Sequence, residues 1–113
     1  MLAGATVQAL LDFRRERDWE QFHSPQNLAI AISVEAGELL ERFQWLRAGE
    51  SRRESTQGEA VEHEIADLTI LLTYLANDLG IDLNDAVIRK LRVNAERYPV
   101  EKAKGSAAKY DKL

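Results

Sequence analysis

Residues 28–46, LAIAISVEAGELLERFQWL, alternate apolar and polar positions with a helical period, and a carboxylate interrupts their apolar seam. On a wheel of about 100° per residue, Leu28, Ile32, Leu39, Phe43 and Leu46 share an arc of roughly 80° with Glu35 in it or on its edge. Glu38 lies about 60° to one side. Residues 61–79 repeat the arrangement, with Val61, Leu68, Leu71, Leu72, Leu75 and Leu79 forming a stripe that contains Glu64. Asp67 is about 60° from Glu64, on the same side as before. An ionised, unpaired carboxylate facing a core costs on the order of several kcal/mol. Four such groups aimed at one interior call for a cation. The alternative is a pair of buried salt bridges, with Arg42 and Lys90 as the available partners.

The remaining pattern predicts further helices and no strand. Residues 6–19 read as a first helix with Val7, Leu10 and Leu11 as its seam and Thr6 as its N-cap. Residues 14–18, RRERD, read as a solvated charged turn near its end. Ser24-Pro25 predicts the start of a second helix over 25–47. Residues 48–58 are polar and without apolar spacing, as in a connecting loop. A third helix spans 59–79 and stops at Gly80, and Asp82 caps a fourth that Tyr98-Pro99 ends. The expected class is all-α: a helical domain over 1–99 and a basic tail over 100–113, either a mobile end or a strap across a neighbour. Ile30, Val34, Leu40, Ile70 and Tyr74 lie off the main stripes, which predicts homo-oligomerisation unless the first helix and the tail cover them.

Composition narrows the chemistry. The 113 residues contain no cysteine, which excludes disulfides, thiolate metal sites and a cysteine nucleophile. A formal net charge of -4 argues against a partner held by neutralising nucleic-acid phosphates. No apolar run reaches the roughly 18 residues of a membrane span, and the first residues do not read as a signal peptide. The expected location is the cytoplasm, with neither nucleic acid nor membrane as partner.

Acids buried between helices also occur in di-iron bundles, but those use paired Glu-x-x-His motifs. Here only Glu20 and His23 have that spacing, at a helix break. Oxygen ligands alone favour Mg²⁺, or Mn²⁺, over zinc or iron. Magnesium held by carboxylates ordinarily completes its shell with water and substrate phosphates, which points to phosphoryl or nucleotidyl chemistry. Trp19, His23 and Trp45 are candidates for a base pocket, and Lys90 and Arg97 for phosphate contacts.

Glu35-x-x-Glu38, 25 intervening residues and Glu64-x-x-Asp67 resemble the signature of the MazG-like all-α nucleoside triphosphate pyrophosphohydrolases. RDWEQFH over 17–23, EAGEL over 35–39, FQW over 43–45, Asn94 with Arg97-Tyr98-Pro99, and Lys109-Tyr110 are similar to the dCTP pyrophosphatase branch. The resemblance implies a four-helix, homo-oligomeric fold, a dimer or tetramer, and Mg²⁺-dependent hydrolysis of a nucleoside triphosphate to the monophosphate and pyrophosphate. It implies that Glu35, Glu38, Glu64 and Asp67 bind the metal and carry catalysis. Substrate contacts are expected from Trp19, His23, Trp45, Lys90, Asn94, Arg97 and Tyr98. Leu10 and Leu71 stand where vertebrate members carry a histidine and a tyrosine near the nucleotide, so a different base preference is one alternative to dCTP. A sensor that keeps the acidic pocket without hydrolysis is another.

Overall fold

The computed structural model describes residues 2–46 and 58–113. Among them every regular element is helical: α1 (Gly4–Glu16), a 3-10 turn (Glu20–Phe22), α2 (Pro25–Glu41), α3 (Gly58–Asp78), α4 (Leu83–Arg97), α5 (Val100–Ala103) and a closing 3-10 turn (Tyr110–Lys112). The expected loop over 48–58 lies outside the described residues except for Gly58, which opens α3, and so does Arg47. The chain forms two compact units, Leu2–Gly80 and Ile81–Leu113.

In the first unit α2 lies mainly against α3, and α1 packs on α3. Leu28, Tyr74 and Ala76 are buried there, together with Thr73, whose hydroxyl donates to the Thr69 carbonyl at 2.7 Å. The predicted start of α2 is observed: the Ser24 hydroxyl accepts from the Asn27 N–H at 3.1 Å and Pro25 takes the first helical position. Its end comes earlier than the apolar pattern predicts. Beyond Glu41 the Arg42 and Phe43 N–H groups bond to the Leu39 and Leu40 carbonyls at 3.1 and 2.9 Å, and Leu46 bonds to Phe43 at 3.0 Å. These three-residue closures wind the chain into tight turns and satisfy carbonyls that a longer helix would have used.

Two expectations for α1 are corrected. Ala3, not Thr6, is the N-cap, and the Thr6 N–H lies in the first turn, bonded to the Ala3 carbonyl at 3.0 Å. The helix also ends before Trp19. Asp18 takes the left-handed conformation at φ 55°, and the Asp18 and Trp19 N–H groups close on the Arg15 and Arg14 carbonyls, each at 3.0 Å. This is the paired-bond helix stop that a left-handed residue permits, with Asp in the place glycine more often fills. It turns Trp19 back against Phe13, with the ring centroids 5.6 Å apart, edge to face.

In the second unit Asp82 caps α4 as predicted, accepting from the Asp85 N–H at 3.0 Å. Residues 100–113 are not a bare tail. Pro99 caps the short α5, and the chain then brings Tyr110 to the end of α4. There its ring meets Tyr98 edge-on at 6.2 Å, and the Arg97 guanidinium lies 4.7 Å from its centroid. Aromatic and cation–π contacts of this kind hold the tail on its own unit.

Candidate functional site

The helical period that placed two carboxylates on facing seams brings them together. Ligand-capable oxygens of Glu35 on α2 and of Glu64 and Asp67 on α3 all lie within 4.8 Å of one another. Glu64 is buried, and one oxygen of each glutamate, Oε2 of Glu35 and Oε2 of Glu64, is buried without a hydrogen-bond partner among the described residues. Burial pushes the Glu35 carboxyl up to about 7, reinforced by hydrogen bonding with Glu38 and Glu64 and by the charges of Glu38 and Asp67. Glu38 is thus Glu35's neighbour, although it stands outside the tight trio. The salt-bridge alternative is present in part: Arg42 Nη2 approaches Glu64 Oε1 at 3.4 Å. One guanidinium does not offset three gathered carboxylates, and Glu35 keeps its raised pKa beside it.

A cavity of about 380 Å³ adjoins the cluster, with Glu35 and Asp67 in its lining. Trp19, Tyr74, Leu71, His23 and Leu10 also line it. The volume falls within the range of small-molecule sites, and a mostly apolar wall with a few polar groups is the usual composition of such pockets. Trp19 and His23, singled out in the sequence, are therefore assembled with Glu35 and Asp67. Trp45 is not: it is 86% exposed and does not line the cavity. The helix expected over 25–47 would carry Trp45, whereas α2 stops at Glu41. Lys90, Asn94, Arg97 and Tyr98 belong to the Ile81–Leu113 unit. Within it the Asn94 carbonyl accepts the Tyr98 N–H at 2.8 Å.

Tyr74, expected on a surface for association, instead lines the cavity. It is buried, and its hydroxyl donates to the Leu10 carbonyl at 2.7 Å, so α1 covers it. The signal was available: Ile70, Leu71 and Tyr74 follow Asp67 at i+3, i+4 and i+7, the positions of one helix face. Arg14 also departs from the solvated turn expected of it. It is 4% exposed rather than solvated, and it pairs with Asp78 across 64 residues of sequence, a distance over which no local pattern speaks.

Among the described residues an all-helical fold gathers carboxylate oxygens from two helices, a group able to hold a metal ion, beside a cavity lined by Trp19, His23 and Tyr74. Residues 30–113 match the model of the MazG-like family, and the chain belongs to that family. It is 45% identical over 105 residues to dCTP pyrophosphatase 1 of Rattus norvegicus and 42% identical over 105 residues to dCTP pyrophosphatase 1 of Homo sapiens. Each match covers 90% of this chain but 62% of the relative, so the chain spans about three fifths of the length of these curated relatives. Its fold is similar to the crystal structure of a pyrophosphatase from Archaeoglobus fulgidus, with a TM-score of 0.79 and 40% identity over 84% of this chain and 90% of that one.

Proposed function

We propose that this protein is a Mg²⁺-dependent nucleoside triphosphate pyrophosphohydrolase that converts dCTP, and dCTP substituted at C5, to the monophosphate and pyrophosphate. The observation that carries the reading is the juxtaposition of the Glu35, Glu64 and Asp67 oxygens with a cavity walled by Trp19 and Tyr74. The relatives' names supply the triphosphate and the base.

The donor set fits a hard cation. All the gathered ligands are carboxylate oxygens, and the unpartnered oxygens of Glu35 and Glu64 have lone pairs to offer one. Glu35, Glu38, Glu64 and Asp67 would hold Mg²⁺, or Mn²⁺ in its place. Bound there, the ion would neutralise triphosphate charge and polarise a phosphoryl oxygen. The carboxylates would hold the ion that takes up the triphosphate's charge, leaving the α-phosphorus open to attack by water. The water's proton passes to a carboxylate of the cluster as pyrophosphate leaves. Trp19 stacks on the base, and the apolar Leu10 and Leu71 leave a methyl group on C5 unopposed. Lys90, Asn94, Arg97 and Tyr98 remain assigned to phosphate and sugar on the resemblance, and Trp45 to the base on the same ground. The reading includes a homo-oligomer and a cytoplasmic place of action. Among the described residues no helix is long and apolar enough to cross a membrane.

The test is pyrophosphate release from dCTP, 5-methyl-dCTP, dTTP, dUTP and dATP with Mg²⁺ and with excess chelator. The two cytosine nucleotides should turn over best, and chelation should abolish turnover. Full activity in chelator would defeat the metal assignment, and purine turnover equal to that of dCTP would defeat the base assignment. Nucleotide binding without pyrophosphate release would instead make the protein a sensor.

A further inference from the structure

Against the His23 and Tyr74 side of the cavity stands an ion pair that the proposed reaction does not use. Arg14 Nη1 and Nη2 donate to Asp78 Oδ2 and Oδ1 at 2.9 and 2.7 Å, a two-pronged pair on a guanidinium that is almost wholly buried. The same guanidinium lies 4.6 Å from the centroid of the Tyr74 ring, and its Nη1 approaches His23 Nδ1 at 3.5 Å. The His23 and Tyr74 rings are 5.4 Å apart. His23 and Tyr74 line the cavity, and Arg14 and Asp78 back them from outside the lining.

The donor inventory decides which His23 nitrogen carries the proton. A guanidinium has five N–H donors, no acceptor, and does not deprotonate. An Nδ1–H facing it would set donor against donor, and an imidazolium would add like charge. At 3.5 Å the contact is long for a hydrogen bond, so it acts chiefly by excluding those two forms. The neutral ring with Nδ1 bare and the proton on Nε2 is left. Asp78 fixes the guanidinium through both prongs, so Arg14 cannot turn an edge away from Nδ1. Burial, and then the Arg14 charge, lower the His23 pKa, with the Asp78 charge opposing them.

We propose that Arg14 and Asp78 are positioning residues that lock His23 in its Nε2–H tautomer, so that the cavity offers a hydrogen-bond donor to an acceptor atom on the edge of the bound base. The proposal rests on the reading of the cavity as a base pocket. It gives the pocket a means of choice that stacking lacks: a base edge presenting a donor at that point would leave both groups unpaired. Arg14 and Asp78 act through His23 and do not touch the nucleotide.

Two measurements on the full chain test this. The protein has only two histidines, His23 and His63, so long-range proton–nitrogen spectra of ¹⁵N-histidine-labelled protein read the tautomer directly, with H63Q assigning the second ring. His23 should show a bare Nδ1 and a protonated Nε2 at neutral pH, and R14M/D78L, which removes both charges together, should give a mixture. A wild-type ring protonated at Nδ1 overturns the proposal, whatever the turnover. In the second measurement kcat and KM are compared across the nucleotide panel for H23Q, whose amide nitrogen stands where Nε2 stood, and H23N, whose amide nitrogen stands where Nδ1 stood. H23Q should keep the wild-type ranking within about threefold, whereas H23N should lose about tenfold or more for the preferred base, chiefly in KM. Equal selectivity of H23Q and H23N overturns the donor role even where the spectrum bears out the tautomer. If the wild type hydrolyses none of the nucleotides, the base-pocket reading falls and takes the donor role with it, and the spectrum alone then decides the tautomer.

Discussion

At Glu35, burial, hydrogen bonding with neighbouring carboxyls and the charges of Glu38 and Asp67 all push the pKa upward, from an ordinary 4.5 to about 7. A carboxyl so raised holds its proton more tightly in the folded chain than in the unfolded one. The stability this confers is fully present below about pH 4.5 and is lost as pH rises through about 7. Metal-free protein should therefore lose up to about 3 kcal/mol between pH 5 and pH 8, since each tenfold difference in proton affinity between the two states is worth roughly 1.4 kcal/mol. A divalent cation reverses the sign of the problem, because it needs the deprotonated carboxylate, so Mg²⁺ affinity should rise over the same interval and binding should release a proton. Urea titrations at several pH values, with chelator and with Mg²⁺, check both statements. E35Q should flatten the metal-free pH dependence and remove the stabilisation by Mg²⁺. A variant that kept full Mg²⁺ stabilisation would exclude Glu35 from the ligand set.

The turn that ends α1 positions the aromatic wall. Asp18 at φ 55° is a non-glycine residue in left-handed backbone, and it is fixed by Gln21, whose amide donates to the Asp18 carbonyl and to Oδ2, both at 3.0 Å. A β-branched residue there meets the steric penalty of that region, about 1–2 kcal/mol, with no side-chain acceptor in return. D18V should thus lower stability by about that amount and weaken nucleotide binding, because Trp19 follows the turn directly, whereas D18N should stay close to the wild type. Chemical denaturation and a nucleotide titration decide the matter; a D18V protein with unaltered affinity would separate Trp19 from this turn. Features whose cause is local could be read from sequence in this way. Ser24-Pro25 and Asp82 announce helix starts because their partners are three residues on, and Glu35 and Glu64 announce a site because a carboxylate breaks an apolar seam. What could not be read depends on partners far along the chain or on a helix stopping without a breaker. Arg14 becomes a core residue only because Asp78 waits on α3. Trp45 falls outside α2 because the helix ends in tight turns where no glycine or proline stands.

For the molecule as a whole, the apolar surface is unbalanced. Ile30 and Val34, one turn apart on α2, are 55% and 56% exposed, and Leu40 on α2 and Ile65 and Leu72 on α3 are exposed as well. Single exposed apolar side chains are ordinary, but Ile30 and Val34, four residues apart on one helix, form an exposed apolar pair that water disfavours. Of the residues expected on that second face, Tyr74 is covered by α1 and Ile70 lines the cavity, so the expectation of self-association now rests on Ile30, Val34 and Leu40. Burying an Ile or Val side chain contributes about 1.5–3 kcal/mol, and a symmetric dimer would bury each of them twice. Light scattering should give a mass at least twice the 12.8 kDa chain. Ile30→Lys with Val34→Lys should move the equilibrium toward monomer by several kcal/mol, on the order of a thousandfold in dissociation constant, while leaving the helix content measured by circular dichroism unchanged. A monodisperse monomer in the wild type would refute the association. An unaltered oligomer in the double variant would move the interface elsewhere on the protein.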